Sequence, residues 1–278
     1  MPDAVGISVL VPTFNEEANI RECLECLTWA DQVIVVDSFS TDATLEIAAE
    51  FTDEIHQHEY VNSATQKNWA IDTLDTRGRW TLIVDSDERI VPELAEEIQR
   101  IIAEDDPRYA GYFINRRNYF FGGWMKRGGL YPNWNLRLFR TGQGRYEDKE
   151  VHADVAIDGE GEVGYLEHDI LHFSYRTISD FVRKTNRYST WDARERMKER
   201  HDDSAISAGS TGGLRTILQK IYWVLPAKPL VRFLYQYIIK AGFLDGRRGL
   251  MVACLYAFEE FLIGAKVWQM RANPEEPE

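Results

Sequence analysis

Residues 80–89 read Trp80-Thr81-Leu82-Ile83-Val84-Asp85-Ser86-Asp87-Glu88-Arg89, an apolar run that breaks off into two carboxylates one residue apart. The run predicts a buried strand. Asp85 and Asp87, where that strand leaves the core, are spaced to share a divalent cation. Hard oxygen ligands suit Mg²⁺ or Mn²⁺, which bind through one or two protein carboxylates and the phosphates of a substrate. Asp-x-Asp is a short pattern, and acidic loops after strands are common, so its meaning rests on its surroundings.

Working outward, the first hundred residues alternate strand and helix signals. Ile7–Val11 is apolar, Pro12-Thr13-Phe14-Asn15 turns, and Asn15 is suited to cap a helix with Glu16 and Glu17 in its first turn. Val33–Val36 ends at Asp37, and Ser40 or Thr41 is suited to cap a helix over 42–51. A strand near 54–58, a helix over 63–74, the strand 80–84 and a helix from Pro92 to about Ala103 follow. Continuous apolar runs, each followed by a helix, predict a parallel sheet covered on both faces. Such sheets bind ligands beyond the carboxyl ends of their strands. Pro12-Thr13, Asp37-Ser38 and Asp85-Ser86-Asp87 all fall at carboxyl ends, so they are expected to meet at one rim.

Residues 111–175 change character, with short strands, Gly122-Gly123 and Gly128-Gly129 turns and many aromatics. From Ser179 the pattern is helical. The chain of 278 residues is 44% hydrophobic, ample for a core, and carries a net charge of −13. That acidity argues against nucleic-acid binding. It hides an asymmetry, because residues 214–271 hold nine Lys/Arg against three acids. In that stretch apolar clusters alternate with Lys and Arg, no run reaches the ~18–20 apolar residues that span a bilayer, and Trp223 and Trp268 lie near the edges. The pattern predicts a helical segment lying in a membrane interface, against a subdomain packed on the main domain or an oligomer contact. Cys23 and Cys26 form C-x-x-C inside an amphipathic helix with no second ligand pair, so buried thiols in a reducing cytoplasm are expected, and no leader is expected before Ile7.

Four segments in order, Val11–Glu17, Val35–Ser38 with Thr41-Asp42, Gln66-Lys67-Asn68-Trp69-Ala70 and Val84–Glu88, together resemble the inverting GT-A glycosyltransferases of family 2. The bacterial branch acting in lipopolysaccharide-core and related envelope-glycan synthesis is the nearest likeness. Trp134-Asn135-Leu136-Arg137-Leu138-Phe139-Arg140, Glu150-Val151-His152 and Gly242-Phe243-Leu244-Asp245-Gly246 look like that branch too, so the resemblance covers nearly the whole chain. It implies an α/β, Rossmann-like GT-A fold: a mixed, mainly parallel sheet flanked by helices, with a C-terminal helical membrane-associating segment. Residues 1–200 would form the catalytic domain, 1–105 its nucleotide-sugar half and 106–200 its acceptor half. A linker over 201–213, the amphipathic segment 214–271 and an acidic tail 272–278 would follow.

The resemblance also implies roles. Pro12, Thr13 and Glu16 line the nucleotide pocket, Asp37 bonds the base or ribose, Lys67 lies near the phosphates, and Asp85 contacts the ribose or sugar. Asp87 ligates Mg²⁺ or Mn²⁺, and His172, with His152 and His168 as competitors, is a late metal or diphosphate contact. Other readings stand beside these: Asp37 as a helix cap, Lys67 as a solvated charge, Glu16 as a first-turn acid, and each His as a hydrogen-bonded structural residue. The base that takes the acceptor proton is expected after the aromatic segment, at Glu150, then Asp148, then Asp154. Ala153 follows His152 where the related pattern has Glu. Trp134 is a candidate stacking platform for the acceptor sugar, and one of Arg137 and Arg140, with Arg137 the candidate, is expected to reach an anionic acceptor or the diphosphate while the other is solvated. The implied partners are a UDP-, GDP- or dTDP-sugar and a lipid-linked or glycolipid acceptor at the cytoplasmic face of the bacterial inner membrane. Two alternatives remain: a sugar nucleotidyltransferase, disfavoured because Pro12–Glu17 has neither glycine nor a basic residue, and an inactive membrane-docked scaffold.

Overall fold

The computed structural model describes residues 5–147, 154–201 and 227–273. The chain divides into two compact units, Met1–Tyr119 with Pro132–Ser174, and Phe120–Tyr131 with Tyr175–Glu278.

In the first unit β1 (Val5–Thr13), β2 (Gln32–Asp37), β3 (Ile55–Gln57) and β4 (Gly78–Ile83) run parallel in the order β3-β2-β1-β4. Helices α1 (Ile20–Glu25), α2 (Thr44–Ala48) and α3 (Ser63–Thr73) connect them. After β5 (Glu88–Arg89) and α4 (Pro92–Glu104), the sheet continues through β8 (Trp134–Arg140), β6 (Tyr109–Phe120), β12 (Ile170–Tyr175) and back to β5. The β4–β8, β8–β6 and β12–β5 pairings are antiparallel. The sheet is therefore mixed, with its parallel part at the amino-terminal side of the sequence. A β9–β10 pair (Gly144–Tyr146, Val155–Ile157) stands apart, and β11 (Glu162–Tyr165) lies along β6.

Two-residue alternation explains the layers. Ile7, Val9 and Val11 of β1 join Cys23, Leu24, Leu94 and Ile98 in one core. Leu10 instead packs with Ile34, Val36, Ile83, Phe139 and the Ala64 and Ala70 of α3 in the other. Both faces of the strand are covered, which is why the sequence reads as an unbroken apolar run.

The helix starts differ from expectation. Asn15 is left-handed (φ 52) and sends its Oδ1 to the Thr41 amide (2.8 Å), so α1 begins only at Ile20. Ser40 donates to Asp37 Oδ1 and Asp42 accepts from the Thr44 amide, so α2 begins at Thr44 and neither Ser40 nor Thr41 caps it. These side chains bond across to the neighbouring loop, which competes with local capping.

The second unit contains the short strand β7 (Gly123–Trp124), α5 (Ile178–His201), α6 (Lys228–Leu234), a π-helical turn Tyr235–Ile239, a 3₁₀ turn Gly242–Asp245, and α7 (Gly246–Ala272). Its core joins Phe120, Met125, Phe181 and Val252. Residues 120–131 belong here because the Arg127 amide bonds Asp245 Oδ2 (2.8 Å) and the Gly128 amide bonds the Lys240 carbonyl (2.9 Å). Phe120 and Phe181 share one core, and the compact units part at 174/175 with 120–131 in the second. A Cβ on Gly249 would meet the Gly242 carbonyl at 1.9 Å, so the glycines of Gly242–Gly249 let α7 pack tightly on the 3₁₀ turn. The expected linker 201–213, except His201, and residues 214–226 and 274–278 lie outside the described residues.

Candidate active site

Register brings the three loops together. Thr13 is level with Asp37, Pro12 with Val36, and Leu10 with Ile83, so Asp85, two residues beyond Ile83, comes level with Pro12. The Val84 amide still bonds the Leu10 carbonyl (3.1 Å), and the chain then turns. That turn is closed by Glu88: its amide donates to the Asp85 carbonyl (2.8 Å) and its Oε2 accepts from the Asp85 amide (2.9 Å). Arg89 Nη1 holds the same turn by bonding the Ser86 and Glu88 carbonyls (3.1 and 2.7 Å).

Around Asp85 stand three cations. Lys67 Nζ is 2.7 Å from Oδ1, Arg137 Nη2 is 2.6 Å from Oδ2, and Arg116 Nη2 is 3.9 Å from Oδ2. Arg137 and Arg116 also contact the fully buried Glu88 at 3.3 and 3.1 Å. Burial alone would raise the Asp85 carboxyl, but Arg137, Lys67 and Arg116 outweigh it and hold it well below the usual carboxylate range. Asp85 is therefore a fixed anion, and the cluster keeps two carboxylates against three cations.

The position of Lys67 follows from helix geometry. Successive helical residues point about 100° apart, so Gln66, Lys67 and Asn68 reach three different places. Gln66 Nε2 bonds the Val36 carbonyl and Ser38 Oγ (3.0 and 2.7 Å), and Asn68 pairs with the Tyr146 backbone at 2.9 and 2.8 Å. Lys67 is buried, paired with Asp85, and lies 5.1 Å from the centre of the Tyr146 ring. It is not a solvated charge.

Asp87 meets His172 from β12, with Nε2 3.4 Å from Oδ1. His172 Nδ1 lies 2.8 Å from Asn118 Oδ1 and 2.9 Å from Ser174 Oγ, contacts that orient the ring with Nε2 toward Asp87. Two ligands on neighbouring corners of an octahedron with bonds of about 2.1 Å stand about 3 Å apart. The pair thus fits one small divalent ion. Among the described residues no group of three or more His, Cys, Asp or Glu is arranged for a metal.

Other expected residues are placed as follows. Asp37 is fully buried, with Oδ2 accepting from the Ser40 amide (2.9 Å) and Gln57 Nε2 (3.1 Å), so in this structure it braces the loop after β2. Thr13 Oγ1 is buried at the rim with no hydrogen-bond partner. Glu16 accepts from the Asn19 side chain (2.5 Å), and its amide bonds Thr44 Oγ1 (2.8 Å), which ties the first loop to α2 rather than making Glu16 a first-turn acid. Trp134 is 41% exposed and edge-on to Tyr165. Arg137, expected to reach an acceptor, instead has its guanidinium buried against Asp85 and Glu88. Arg140 is not solvated either, since it bonds Asp105 Oδ1 and the Tyr109 and Asp106 carbonyls at 2.9–3.0 Å. His168 bonds Glu97 (2.9 Å) and is structural. Cys23 is buried, which raises its thiol well above the ordinary value, and Cys23 and Cys26 are unpaired. Asp148, Glu150 and His152 lie outside the described residues, while Asp154 is exposed.

Glu88, Arg116 and Tyr146 are the cluster members that the sequence motifs left without a role. Phe14 and Phe39, exposed on the two rim loops, were also silent, and Phe39 is held left-handed (φ 59). A bulky residue at positive φ costs energy and tends to mark function. Its sequence signal is only an aromatic placed where a strand has already ended.

The model of the family described as glycosyl transferase family 2 matches residues 8–157, a span that holds the whole rim and the cation cluster. The chain belongs to that family. It is a glycosyltransferase, inverting as that family is, and the nucleotidyltransferase alternative falls away. Among relatives, the lipopolysaccharide core biosynthesis glycosyltransferase LpsC of Rhizobium meliloti is 27% identical over 98% of this chain and 95% of its own. An uncharacterized glycosyltransferase of Rickettsia bellii is 28% identical over 96% and 88%. Among solved structures, the mannosyltransferase PcManGT of Pyrobaculum calidifontis, in complex with GDP-Man and Mn²⁺, overlaps 99% of this chain and 89% of its own at 16% identity and a TM-score of 0.49.

Proposed function

We propose that this glycosyltransferase moves a sugar from a nucleoside-diphosphate donor to a lipopolysaccharide-core or similar lipid-linked acceptor, at the cytoplasmic face of the bacterial inner membrane. The observation that carries the donor half is the rim, where Asp85, fixed by Lys67, Arg137 and Arg116, stands two residues from the Asp87–His172 pair. Phe14 and Phe39 offer flat surfaces to a base, and Thr13 Oγ1 offers a hydrogen bond that no protein group satisfies. Asp87 and His172 would hold Mg²⁺ or Mn²⁺, which when bound stabilises the charge that develops on the diphosphate leaving group. As the acceptor hydroxyl oxygen bonds the anomeric carbon, the bond from that carbon to the diphosphate oxygen breaks. The hydroxyl proton passes to a carboxylate, with Glu150 and Asp148 the candidates. Trp134 would stack on the acceptor sugar. The near full-length likeness to LpsC supports the acceptor class.

The test is a thermal-shift panel of UDP, GDP, dTDP and their sugars with and without Mn²⁺, followed by transfer assays with Glu150→Gln and Asp148→Asn. A ligand that binds only the folded state raises its stability by mass action. One nucleotide should stabilise the protein in a metal-dependent way, and one of the two variants should bind donor without transferring. A panel with no metal-dependent shift would overturn the donor reading.

A further inference from the structure

Helix α7 is built inside out. Its buried positions include Glu260 and Lys266 beside Gly249, Val252, Ala253 and Ile263. Arg196 of α5 grips Glu260 through both oxygens (2.9 and 3.1 Å), and Lys266 Nζ bonds the Asn186 carbonyl and Thr190 Oγ1 (2.5 and 2.6 Å). Burial, with help from Asp192, raises the neighbouring Glu259 carboxyl to about 7 despite Arg232. The outward face carries Leu250, Met251, Phe258, Phe261 and Trp268, the last 73% exposed. Their spacing keeps them on one helical stripe. Just upstream, Ile238, Ile239, Phe243 and Leu244 are also exposed.

In a water-soluble helix the polar face turns out and the apolar face in, and a large exposed apolar stripe marks a contact surface. Charge identifies the partner. Residues 228–273 carry seven Lys/Arg against three acids, in a chain of net charge −13. None of the three acids is exposed, whereas Lys240, Arg247 and Arg271 are. Among the described residues 228–273 the exposed charges are all cations, and an apolar stripe with such charges matches a surface that is apolar within and anionic at its edge. A second copy matches poorly, because a two-fold contact would set the same cations against each other. Among the described residues no helix is long and apolar enough to cross a membrane, so the surface would lie in the interface rather than span it.

We propose that the outward face of α7 docks this enzyme on an anionic lipid bilayer. The inference deepens the glycolipid-acceptor reading and rests on it only for its purpose. The test is flotation of the full-length protein with phosphatidylglycerol-containing vesicles and with phosphatidylcholine vesicles, at low and high salt. Wild-type protein should float with the anionic vesicles and lose binding as salt rises. Phe261→Glu with Trp268→Glu should lower the bound fraction roughly tenfold, with the nucleotide-dependent thermal shift unchanged, which shows the variant folded. Arg247→Gln with Arg271→Gln should weaken binding to anionic vesicles alone. Undiminished flotation of the Glu variant, or a dimer that this variant dissociates while vesicles are ignored, would overturn the proposal. Flotation without transfer to any glycolipid would sink the acceptor reading and leave docking standing. Transfer in detergent by a protein that never floats would do the reverse.

Discussion

Replacing Arg137 with Met separates a buried clamp from an acceptor-binding arm. The guanidinium is 6% exposed and bonds Asp85 Oδ2 at 2.6 Å and Glu88 Oε1 at 3.3 Å. Removing it leaves Glu88, fully buried, with Arg116 at 3.1 Å and the Asp85 amide at 2.9 Å, and Asp85 with Lys67 at 2.7 Å and Arg116 at 3.9 Å. Breaking a buried pair from one side costs about 3–5 kcal/mol because a charge is left unmatched. The two remaining cations argue for the lower end, ~3 kcal/mol. At roughly 2–4 °C per kcal/mol for a chain of this size, Tm should fall by about 6–12 °C. Glu88→Gln in the same background keeps the acceptor for the Asp85 amide while removing the unmatched charge. The double variant should therefore recover at least ~1 kcal/mol relative to additivity. Calorimetry of the four proteins measures the coupling, and donor-induced stabilisation should shrink in Arg137→Met because Asp85 loses its fixed orientation. An Arg137→Met protein within ~0.5 kcal/mol of wild type, altered only in acceptor KM, would refute the clamp and return Arg137 to the acceptor.

Asp87→Ala should remove the Mn²⁺-dependent part of the nucleotide-induced thermal shift while sparing the fold, and a surviving metal-dependent shift would show that other groups hold the ion. Thr13→Val removes a buried hydroxyl that has no partner, so the ligand-free protein should be as stable or up to ~1 kcal/mol more stable. Titration calorimetry of that variant should nonetheless show weaker donor binding, and unchanged affinity would mean that the hydroxyl faces no ligand. The Glu259 carboxyl is raised in the folded state to about 7, so the folded protein binds more protons than the unfolded one between the two values. Stability contributed by the protonated form is present below about pH 4.5 and is lost as pH rises toward 7. Glu259→Gln should therefore stabilise the protein at pH 8, by at most ~3 kcal/mol, and change little at pH 4.5; denaturant midpoints at the two pH values read this, and an equal effect at both would refute it.

Val9, Leu10, Val11 and Ile83, Val84 could be read as buried strands because both faces of a parallel sheet are covered, and the polar residues that end such runs sit at the rim by topology alone. Thr13, Asp37 and the Asp85–Asp87 doublet were legible for that reason, and family motifs added Lys67. Helix starts were less legible, because Asn15 and Ser40 bond across loops instead of capping locally. Arg137 reads in sequence as an arm toward an anionic acceptor or the diphosphate, and only the pleat and the 52-residue return to Asp85 show that it is buried against that carboxylate. Glu88 gives little signal of its own, since a lone acid after a doublet reads as surface charge until Arg116 and Arg137 close over it. The C-terminal segment shows the same division. Sequence alone determined that it is basic and rich in exposed-type aromatics. The tertiary structure decided that Glu260 and Lys266 face inward while Phe261 and Trp268 face out, because Arg196 and Asn186 on α5 supply the partners that make burying charge tolerable.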